Sequence, residues 1–231
     1  MDSANRDRHE RNLRQALTML VERCPILAET VYWAETSAVA MEELGHRQSL
    51  DLDFHTRSAL MDVRPILARI RAAFGEDFEL IQAPDEFGSG FRGVIRLPNS
   101  ERVTIEFLSN YQDVSDDELV PSTLVASLRR VSLTKYLSDK VQCVAERREA
   151  RDLVDVCAVL RRRLDLEGLA RRLVAEQDFL LMAERLLSWT DAEILSDLKS
   201  YRDVSLADAQ WTRDTFLRWL RTRSAGAEEK T

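Results

Sequence analysis

The stretch Leu44-Gly45-His46-Arg47-Gln48-Ser49-Leu50-Asp51-Leu52-Asp53-Phe54 decides how the rest of the sequence is interpreted. From Leu50 to Phe54 apolar and acidic residues alternate, and a period of two is typical of a half-buried β-strand. Side chains two residues apart on a strand point to the same side, so Asp51 and Asp53 stand together on one face. Adjacent carboxylates repel each other unless a cation lies between them, and Mg²⁺ prefers such oxygen ligands. The sequence therefore predicts a metal-dependent site for phosphoryl or nucleotidyl transfer.

The residues before this strand predict a short helix with an anion-binding N-terminus. Thr36 and Ser37 come directly before a helical run at residues 38–44, and hydroxyl side chains are good helix N-caps. The free N–H groups of a helix N-terminus attract anions such as phosphate. Gly45 is placed to end this helix, and residues 30–34 predict a short buried strand before it.

Three further strands are predicted at residues 78–82, 91–97 and 101–108. The turn Pro98-Asn99-Ser100 predicts that the last two form a hairpin. Glu106 is a single acid inside the apolar run of the last strand. A lone glutamate usually faces solvent, but the acidic pair upstream favours a role as a metal ligand.

Helical patterns fill most of the remaining chain. They cover residues 8–22, residues 57–74 with Pro65 as a start or kink, and five segments beyond residue 124, namely 131–145, 165–176, 179–187, 191–199 and 205–221. This order predicts an α+β fold in which a mixed β-sheet is flanked by helices and followed by a helical C-terminal region. The composition changes near residue 122, so we expect an α/β core at residues 1–121 and a helical region at residues 122–231.

Composition favours a globular protein without a membrane segment. The chain has 231 residues, 45% of them hydrophobic and 32% charged, and no apolar run approaches the roughly 18 residues of a membrane span. The N-terminal residues are polar and lack the apolar core of a secretory signal, which indicates a cytoplasmic protein. Three widely spaced cysteines indicate reduced, buried thiols, with a catalytic thiol as the alternative.

The charge distribution leaves two interpretations open. The formal net charge is −7, yet residues 122–172 contain twelve Lys and Arg against seven Asp and Glu. Such a basic region could bind nucleotide phosphates or an RNA backbone. Solvent-exposed helices with ordinary ion pairs would have the same composition, and charge alone favours this second interpretation.

Taken together, these motifs resemble the AbiEii/AbiGii-type nucleotidyltransferase toxins, which belong to the polymerase-β-like nucleotidyltransferase superfamily. The resemblance spans roughly residues 30–160. Its specific parts are the string His46-Arg47-x-Ser49-x-Asp51-x-Asp53 and a downstream lysine followed by Arg-Asp-x-x-Asp, here Lys140 and residues 151–155. Glu106 lies where the superfamily has its third carboxylate.

The resemblance implies an enzyme that moves a nucleotide from a nucleoside triphosphate (NTP) to a tRNA or protein acceptor. It implies two Mg²⁺ ions held by Asp51, Asp53 and Glu106, and a cognate antitoxin as partner. It also implies nucleotide contacts from eight residues: Thr36, Ser37, Arg47, Ser49, Lys140, Arg151, Asp152 and Asp155.

One departure from the superfamily supports a second hypothesis. Relatives have Gly-Gly or Gly-Ser where this chain has Thr36-Ser37, so Ser37 fits the second position and Thr36 replaces a glycine. If the alignment is moved by one residue, to Glu35-Thr36, both positions lack glycine. A side chain there crowds the approach of phosphates to the backbone. The alternatives are therefore a catalytically degenerate protein that binds nucleotides or partners and, third, a helical interaction protein whose acidic pair faces solvent.

Overall fold

The computed structural model describes residues 3–199, 201 and 204–228. The chain divides into two compact units, residues 1–132 and residues 133–231. Within the described residues, the first unit has the helices α1 (Ser3–Arg23), α2 (Leu27–Thr30), α3 (Glu35–Val39) and α4 (Arg64–Phe74). Its strands are β1 (Val31–Trp33), β2 (Asp51–Ala59), β3 (Phe78–Gln82), β4 (Gly90–Arg96), β5 (Arg102–Asn110), β6 (Leu119–Pro121) and β7 (Arg129–Val131).

The strands form one mixed sheet, which confirms the predicted α+β class. Their order is β3-β4-β5-β2-β1-β7-β6, with β2 parallel to β5 and β1 parallel to β7. The other neighbours pair antiparallel, including the predicted hairpin of β4 and β5. The strand that carries the acidic pair therefore lies in the middle of the sheet, between β5 and β1.

Three stacked phenylalanines set the register of the central strands. Phe107 on β5 lies between Phe54 on β2 and Phe91 on β4, with ring centroids 4.7 Å and 4.9 Å away. All three side chains are buried. A shift of one strand by a single residue would turn its phenylalanine to the opposite face, so this stack holds the three strands in one alignment.

The polypeptide between β2 and α4 differs from the predicted helix at residues 57–74. β2 continues to Ala59, and α4 begins only at Arg64, with Pro65 in its first turn. Proline is well tolerated there because the first N–H groups of a helix have no partner within it. The helix therefore starts at the proline and is not kinked by it, which is one of the two possibilities that the sequence left open.

The pair β6 and β7 was not predicted, because helix was expected from residue 124 onward. A buried acid from the segment after α3 fixes the loop between these strands. Glu42 accepts hydrogen bonds from the N–H groups of Thr123 and Leu124 and from Arg130, at 2.8 to 3.2 Å, and a further one from Ser122. Burial opposes ionisation of Glu42, but these hydrogen bonds outweigh it and lower the pKa of the carboxyl. Both strands belong to the first unit, which ends at Ser132, whereas the composition predicted a boundary near residue 122.

The second unit is helical, as predicted. Its helices are α5 (Leu133–Glu146), α6 (Ala150–Arg162), α7 (Glu167–Glu176), α8 (Phe179–Ser188), α9 (Asp191–Leu198) and α10 (Leu206–Glu228). Thr190 caps α9: its hydroxyl accepts from the N–H of Glu193, whose carboxylate accepts in return from the N–H of Thr190.

A buried ionic cluster joins α5 to α6. The ammonium of Lys140 lies 3.3 Å from Asp152 and 3.6 Å from Asp155, and all three side chains are at most 2% exposed. Arg147 donates two hydrogen bonds to Asp152, at 2.8 Å and 3.0 Å. Charges enclosed in this way are tolerated only because each has a partner of opposite sign.

We predict that Phe107→Ala lowers the free energy of unfolding by about 3–5 kcal/mol, because it opens a cavity between the other two stacked rings. Urea denaturation followed by circular dichroism measures the change. The control is Phe87→Ala, since Phe87 is 77% exposed. Equal stability of the two variants would contradict the role given to the stack.

We also predict that Lys140→Met destabilises the protein by about 3–5 kcal/mol, because it leaves buried carboxylates without their ammonium partner. The matched control is Lys135→Met, whose ammonium pairs with the partly exposed Asp139 at 3.0 Å. The control should change stability by less than about 1 kcal/mol. Thermal unfolding without any nucleotide is the measurement, and an unchanged midpoint for Lys140→Met would exclude a structural role for the cluster.

Candidate active site

The three predicted acidic ligands lie on one face of the sheet. In the parallel pairing of β2 with β5, Asp53 is opposite Glu106, and Asp51 is opposite Thr104. The residues that alternate with them, Leu52 and Ile105, are fully buried on the other face. The alternation predicted for β2 therefore exists, and the parallel pairing brings Glu106 to the same side as the acidic pair, although α4, β3 and β4 intervene in the sequence.

A basic residue that the sequence analysis missed completes this face. Arg92 on β4 is opposite Glu106 in the antiparallel hairpin. Its guanidinium approaches Asp51 to 3.4 Å, and the two side chains are 44% and 25% exposed. The register of this hairpin can be counted outward from the predicted turn Pro98-Asn99-Ser100. That count places Arg92 opposite Glu106, so the sequence was sufficient to predict this pairing.

The electrostatics of the face reflect its excess of carboxylates. Burial raises the pKa of Glu106, Arg92 opposes this, and the nearby carboxylates of Asp51 and Glu35 raise it further. A carboxyl group among other carboxylates holds its proton more tightly unless a cation balances the charge. The partly exposed guanidinium of Arg92 provides part of that balance.

The donor set suits a hard cation. Asp51, Asp53 and Glu106 offer the carboxylate oxygens that Mg²⁺ prefers, from two neighbouring strands and on a solvent-accessible face. Over the residues that the structure describes, no three acidic, histidine or cysteine side chains are yet close enough to hold a metal ion. The residues fit such an ion in type and in strand register, and their carboxylates would have to come closer together to hold it.

Ser37 connects the start of α3 to the acidic strand. Its hydroxyl accepts hydrogen bonds from the indole of Trp33 at 2.8 Å and from the N–H of Asp53 at 3.2 Å, and it donates to the carbonyl of Ala34. The side chain is fully buried. Ser37 therefore positions Asp53, whereas the sequence predicted a direct contact with phosphate.

Thr36 and Arg47 bind each other. The guanidinium of Arg47 donates to the Thr36 hydroxyl at 2.8 Å, and both residues are at least nine-tenths buried. Ser49, also buried, donates to the carbonyl of Asp51 at 3.1 Å. The contact between Arg47 and Thr36 thus holds the loop before β2 against the start of α3, whereas the contact of Ser49 is with the strand that follows it. All three polar groups contact the protein itself, and their contacts with a nucleotide stay a prediction.

The helix start itself differs from the prediction. α3 begins at Glu35 after Ala34, so Thr36 and Ser37 lie inside its first turn and do not cap it. After Val39 the helix widens into a π-helical turn, Ala40–Leu44, which ends at Gly45 in a left-handed conformation as predicted.

Glu35 occupies a backbone position that favours glycine. Its φ angle is +55°, in the left-handed region that costs a residue with a side chain roughly 1 kcal/mol or more. In the alternative frame, Glu35-Thr36, Glu35 thus occupies a backbone position that a glycine would adopt without this cost. No sequence signal other than the absent glycine pointed to this residue.

The remaining predicted nucleotide ligands belong to the helical unit. Lys140, Asp152 and Asp155 are the buried cluster between α5 and α6 described above, so their charged groups bind each other. Arg151 donates to the hydroxyl of Tyr201 at 2.6 Å and also pairs with Glu149. The motif predicted from Lys140 and residues 151–155 thus forms one unit in space, largely enclosed by protein.

The cysteines do not form a reactive centre. All three thiols are free, with Cys24 and Cys157 buried and Cys143 partly exposed. Burial raises the pKa of both Cys24 and Cys157, in the case of Cys157 to about 11. Thiols with raised pKa values are poor nucleophiles, which agrees with the structural role favoured for them by the sequence. In the described part of the chain, no helix has the length and apolarity needed to cross a membrane.

Comparison with solved structures shows the same fold elsewhere. The nucleotidyltransferase toxin MenT4 from Mycobacterium tuberculosis matches with a TM-score of 0.62 and 17% identity, over 96% of this chain and 90% of that one. JHP933 from Helicobacter pylori matches with a TM-score of 0.52 and 18% identity, over 95% of this chain and 97% of that one. A putative nucleotidyltransferase from H. pylori matches with a TM-score of 0.50 and 19% identity, over 92% of this chain and 94% of that one.

Sequence comparison gives the family. No curated protein matches this chain significantly. A family model does match, over residues 40–217, which is most of the chain and includes both the acidic strand and the Lys140 cluster. Its description is nucleotidyl transferase AbiEii toxin of type IV toxin–antitoxin systems, and this chain therefore belongs to the AbiEii nucleotidyltransferase toxin family.

Proposed function

We propose that this chain is an Mg²⁺-dependent enzyme that transfers a nucleotidyl group from an NTP to a hydroxyl of an RNA or protein acceptor. The observation that supports it most directly is the shared face of Asp51, Asp53 and Glu106 on adjacent strands. Membership of a toxin family adds a cognate antitoxin as partner. Such a reaction belongs in the cytoplasm, with its pools of NTPs and tRNA.

In this proposal the three carboxylates hold the metal. When bound, Mg²⁺ would neutralise charge on the triphosphate and stabilise the charge that develops during transfer. The acceptor hydroxyl forms a bond to the α-phosphorus, the bond from that phosphorus to the β-phosphate oxygen breaks, and pyrophosphate leaves. Glu106 is the carboxylate assigned to take the hydroxyl proton.

In this proposal Arg92 contacts the phosphates of the nucleotide, a role that the family resemblance gave to Arg47 and Lys140. Those two charges are buried against Thr36 and between two aspartates, respectively. Arg92 is 44% exposed beside Asp51, so its guanidinium can reach a phosphate oxygen of the leaving group. Guanidinium groups bind phosphate with two parallel hydrogen bonds, which suits a developing pyrophosphate.

A specific observation keeps a second candidate function in view. Glu35 puts a fourth carboxylate near Glu106, at the start of the helix where relatives have glycine. Negative charge there opposes the approach of a triphosphate. In this second candidate the chain binds its partner, or a nucleotide, without transferring anything.

We predict that Asp51→Asn, Asp53→Asn and Glu106→Gln each reduce nucleotide transfer at least about a hundredfold, because each removes a metal-binding charge. The measurement is incubation with each α-³²P-labelled NTP, MgCl₂ and either total tRNA or cell lysate, followed by gel electrophoresis. Chelation of the metal should abolish labelling.

The matched control is Asp77→Asn, which changes an exposed acid outside this face. It should label acceptors as the unaltered protein does. Full activity in Asp53→Asn would remove the metal assignment. Calorimetric NTP binding without any labelled product would favour the second candidate.

We further predict that Glu35→Gly increases NTP affinity about tenfold, because it removes both a repelling carboxylate and a side chain at a positive φ. Isothermal titration with each NTP and Mg²⁺ measures the affinity.

Glu35→Ala separates the two effects, since alanine removes the charge but keeps the unfavourable backbone position. If NTP affinity rises in both variants, the effect is due to charge. If it rises only in Glu35→Gly, the effect is due to the backbone conformation. Weaker binding in both would mean that Glu35 itself contributes to the site.

A further inference from the structure

The helical unit contains a groove that the proposed chemistry does not use. It lies between α10 and the segment formed by the end of α6 and α7, and its volume is about 520 Å³. This size is within the range of small-molecule and cofactor sites. We call it the tryptophan–arginine groove after its lining side chains, which include Trp211, Trp219, Arg161, Arg171 and Arg218.

Flat aromatic and guanidinium surfaces alternate along this groove. The guanidinium of Arg161 lies over Trp211, 5.8 Å from the ring centroid, and that of Arg171 lies over Trp219 at 5.6 Å. The two tryptophans are eight residues apart on α10, roughly 12 Å along the helix axis. The groove is therefore elongated and suits a chain-like ligand.

The two tryptophans have different roles. Trp219 is only 9% exposed and stacks on the buried Phe216 with ring centroids 5.5 Å apart, so it forms the buried surface on which the guanidinium of Arg171 packs. Trp211 is 38% exposed and is the aromatic surface that a ligand can reach. Tryptophan and arginine are residue types enriched at binding interfaces, and the guanidinium of Arg161 lies over the exposed ring of Trp211.

The groove is also locally basic in an acidic protein. It is lined by three arginines and one carboxylate, Glu167, which Arg171 approaches, and Asp208 pairs with Arg161. Arg171 is 63% exposed, and its approach to Glu167 is long, 3.8 Å, so the guanidinium remains available to an anion. Arg218 donates to the hydroxyl of Thr215 at 2.9 Å and is exposed as well.

We infer that the tryptophan–arginine groove binds single-stranded RNA. An unpaired base packs against Trp211 and the guanidinium planes, and Arg171 and Arg218 contact the phosphates. Proteins recognise unpaired RNA bases by stacking them on aromatic rings or on arginine, and arginine binds phosphate through paired hydrogen bonds. Of the two acceptor classes in the proposed function, this inference selects RNA, and to that extent it rests on the proposed function. The binding itself can be measured without catalysis.

An acidic peptide is the competing ligand, and the groove suits it less well. A peptide needs partners for both its backbone N–H and its C=O groups, whereas the two tryptophans and three arginines of the groove have hydrogen-bond donors but no acceptors. Stacked planes match nucleobases, which have a flat face irrespective of sequence. Little preference among bases is therefore expected.

The test is fluorescence anisotropy of the full chain with short, fluorescein-labelled oligouridylate and oligoadenylate. We expect Arg171→Ala and Trp211→Ala each to weaken binding about tenfold. Arg172→Ala is the matched control, because Arg172 is the exposed neighbour of Arg171 on α7 and does not line the groove. Trp211→Phe keeps an aromatic face and should retain most of the affinity.

Salt dependence provides a second measurement. For a single strand, the slope of log K against log salt concentration becomes shallower by roughly 0.7 when one phosphate is no longer neutralised by the protein. Arg171→Ala and Arg218→Ala should each show that change. Because binding is measured without NTP or metal, its loss tests this inference alone, whereas loss of labelling by the metal-site variants tests the proposed catalysis.

Three results would overturn the inference. One is the absence of RNA binding by the unaltered chain, and another is equal affinity of Arg171→Ala and Arg172→Ala. The third is groove-dependent binding of poly-L-glutamate that RNA does not displace, which would assign the groove to an acidic protein partner.

Discussion

The stack of Phe54, Phe107 and Phe91 is the contact on which the rest of the first unit depends. Each ring is buried on one face of its strand, and the residue next to each ring on the opposite face is charged. Fixing three rings in one row therefore also fixes Asp53, Glu106 and Arg92 in one row. Apolar packing thus supplies the alignment that a charged site could not supply by itself, because its like charges repel.

Much of this arrangement is contained in the sequence. Period-two alternation gives the strand and the shared face of Asp51 and Asp53, and the turn at residues 98–100 gives the hairpin. Counting outward from that turn also gives the pairing of Arg92 with Glu106. The parallel pairing of Asp53 with Glu106 cannot be counted in the same way, because helix, strand and loop intervene between β2 and β5. The acidic pair upstream and the family resemblance predicted that Glu106 joins Asp51 and Asp53, but neither predicted the parallel pairing.

Exposure was the property that the sequence predicted least well. Ser37, Arg47 and Lys140 have the polar or charged groups expected of phosphate ligands, and each is almost completely buried with its partners inside the protein. Residue type and spacing specify that such groups come together, but whether they face a ligand depends on how much of the surrounding chain covers them. Glu35 is a different case, since its left-handed backbone conformation was set by the fold in spite of the residue.

Burial also explains why motif residues need not touch the substrate to be required. A hydroxyl that holds the N–H of Asp53, or an ammonium enclosed by two aspartates, fixes the backbone from which exposed groups project. Removal of such a group is expected to disturb the site through its support and to lower stability at the same time, whereas the proposed mechanism predicts that removal of the partly exposed carboxylate of Asp51 or Asp53 lowers activity alone. Stability and activity measured on the same variants therefore divide the motif into its supporting and its reacting parts. Under the proposed mechanism the reacting part is small: Asp51, Asp53, Glu106 and Arg92, on three adjacent strands.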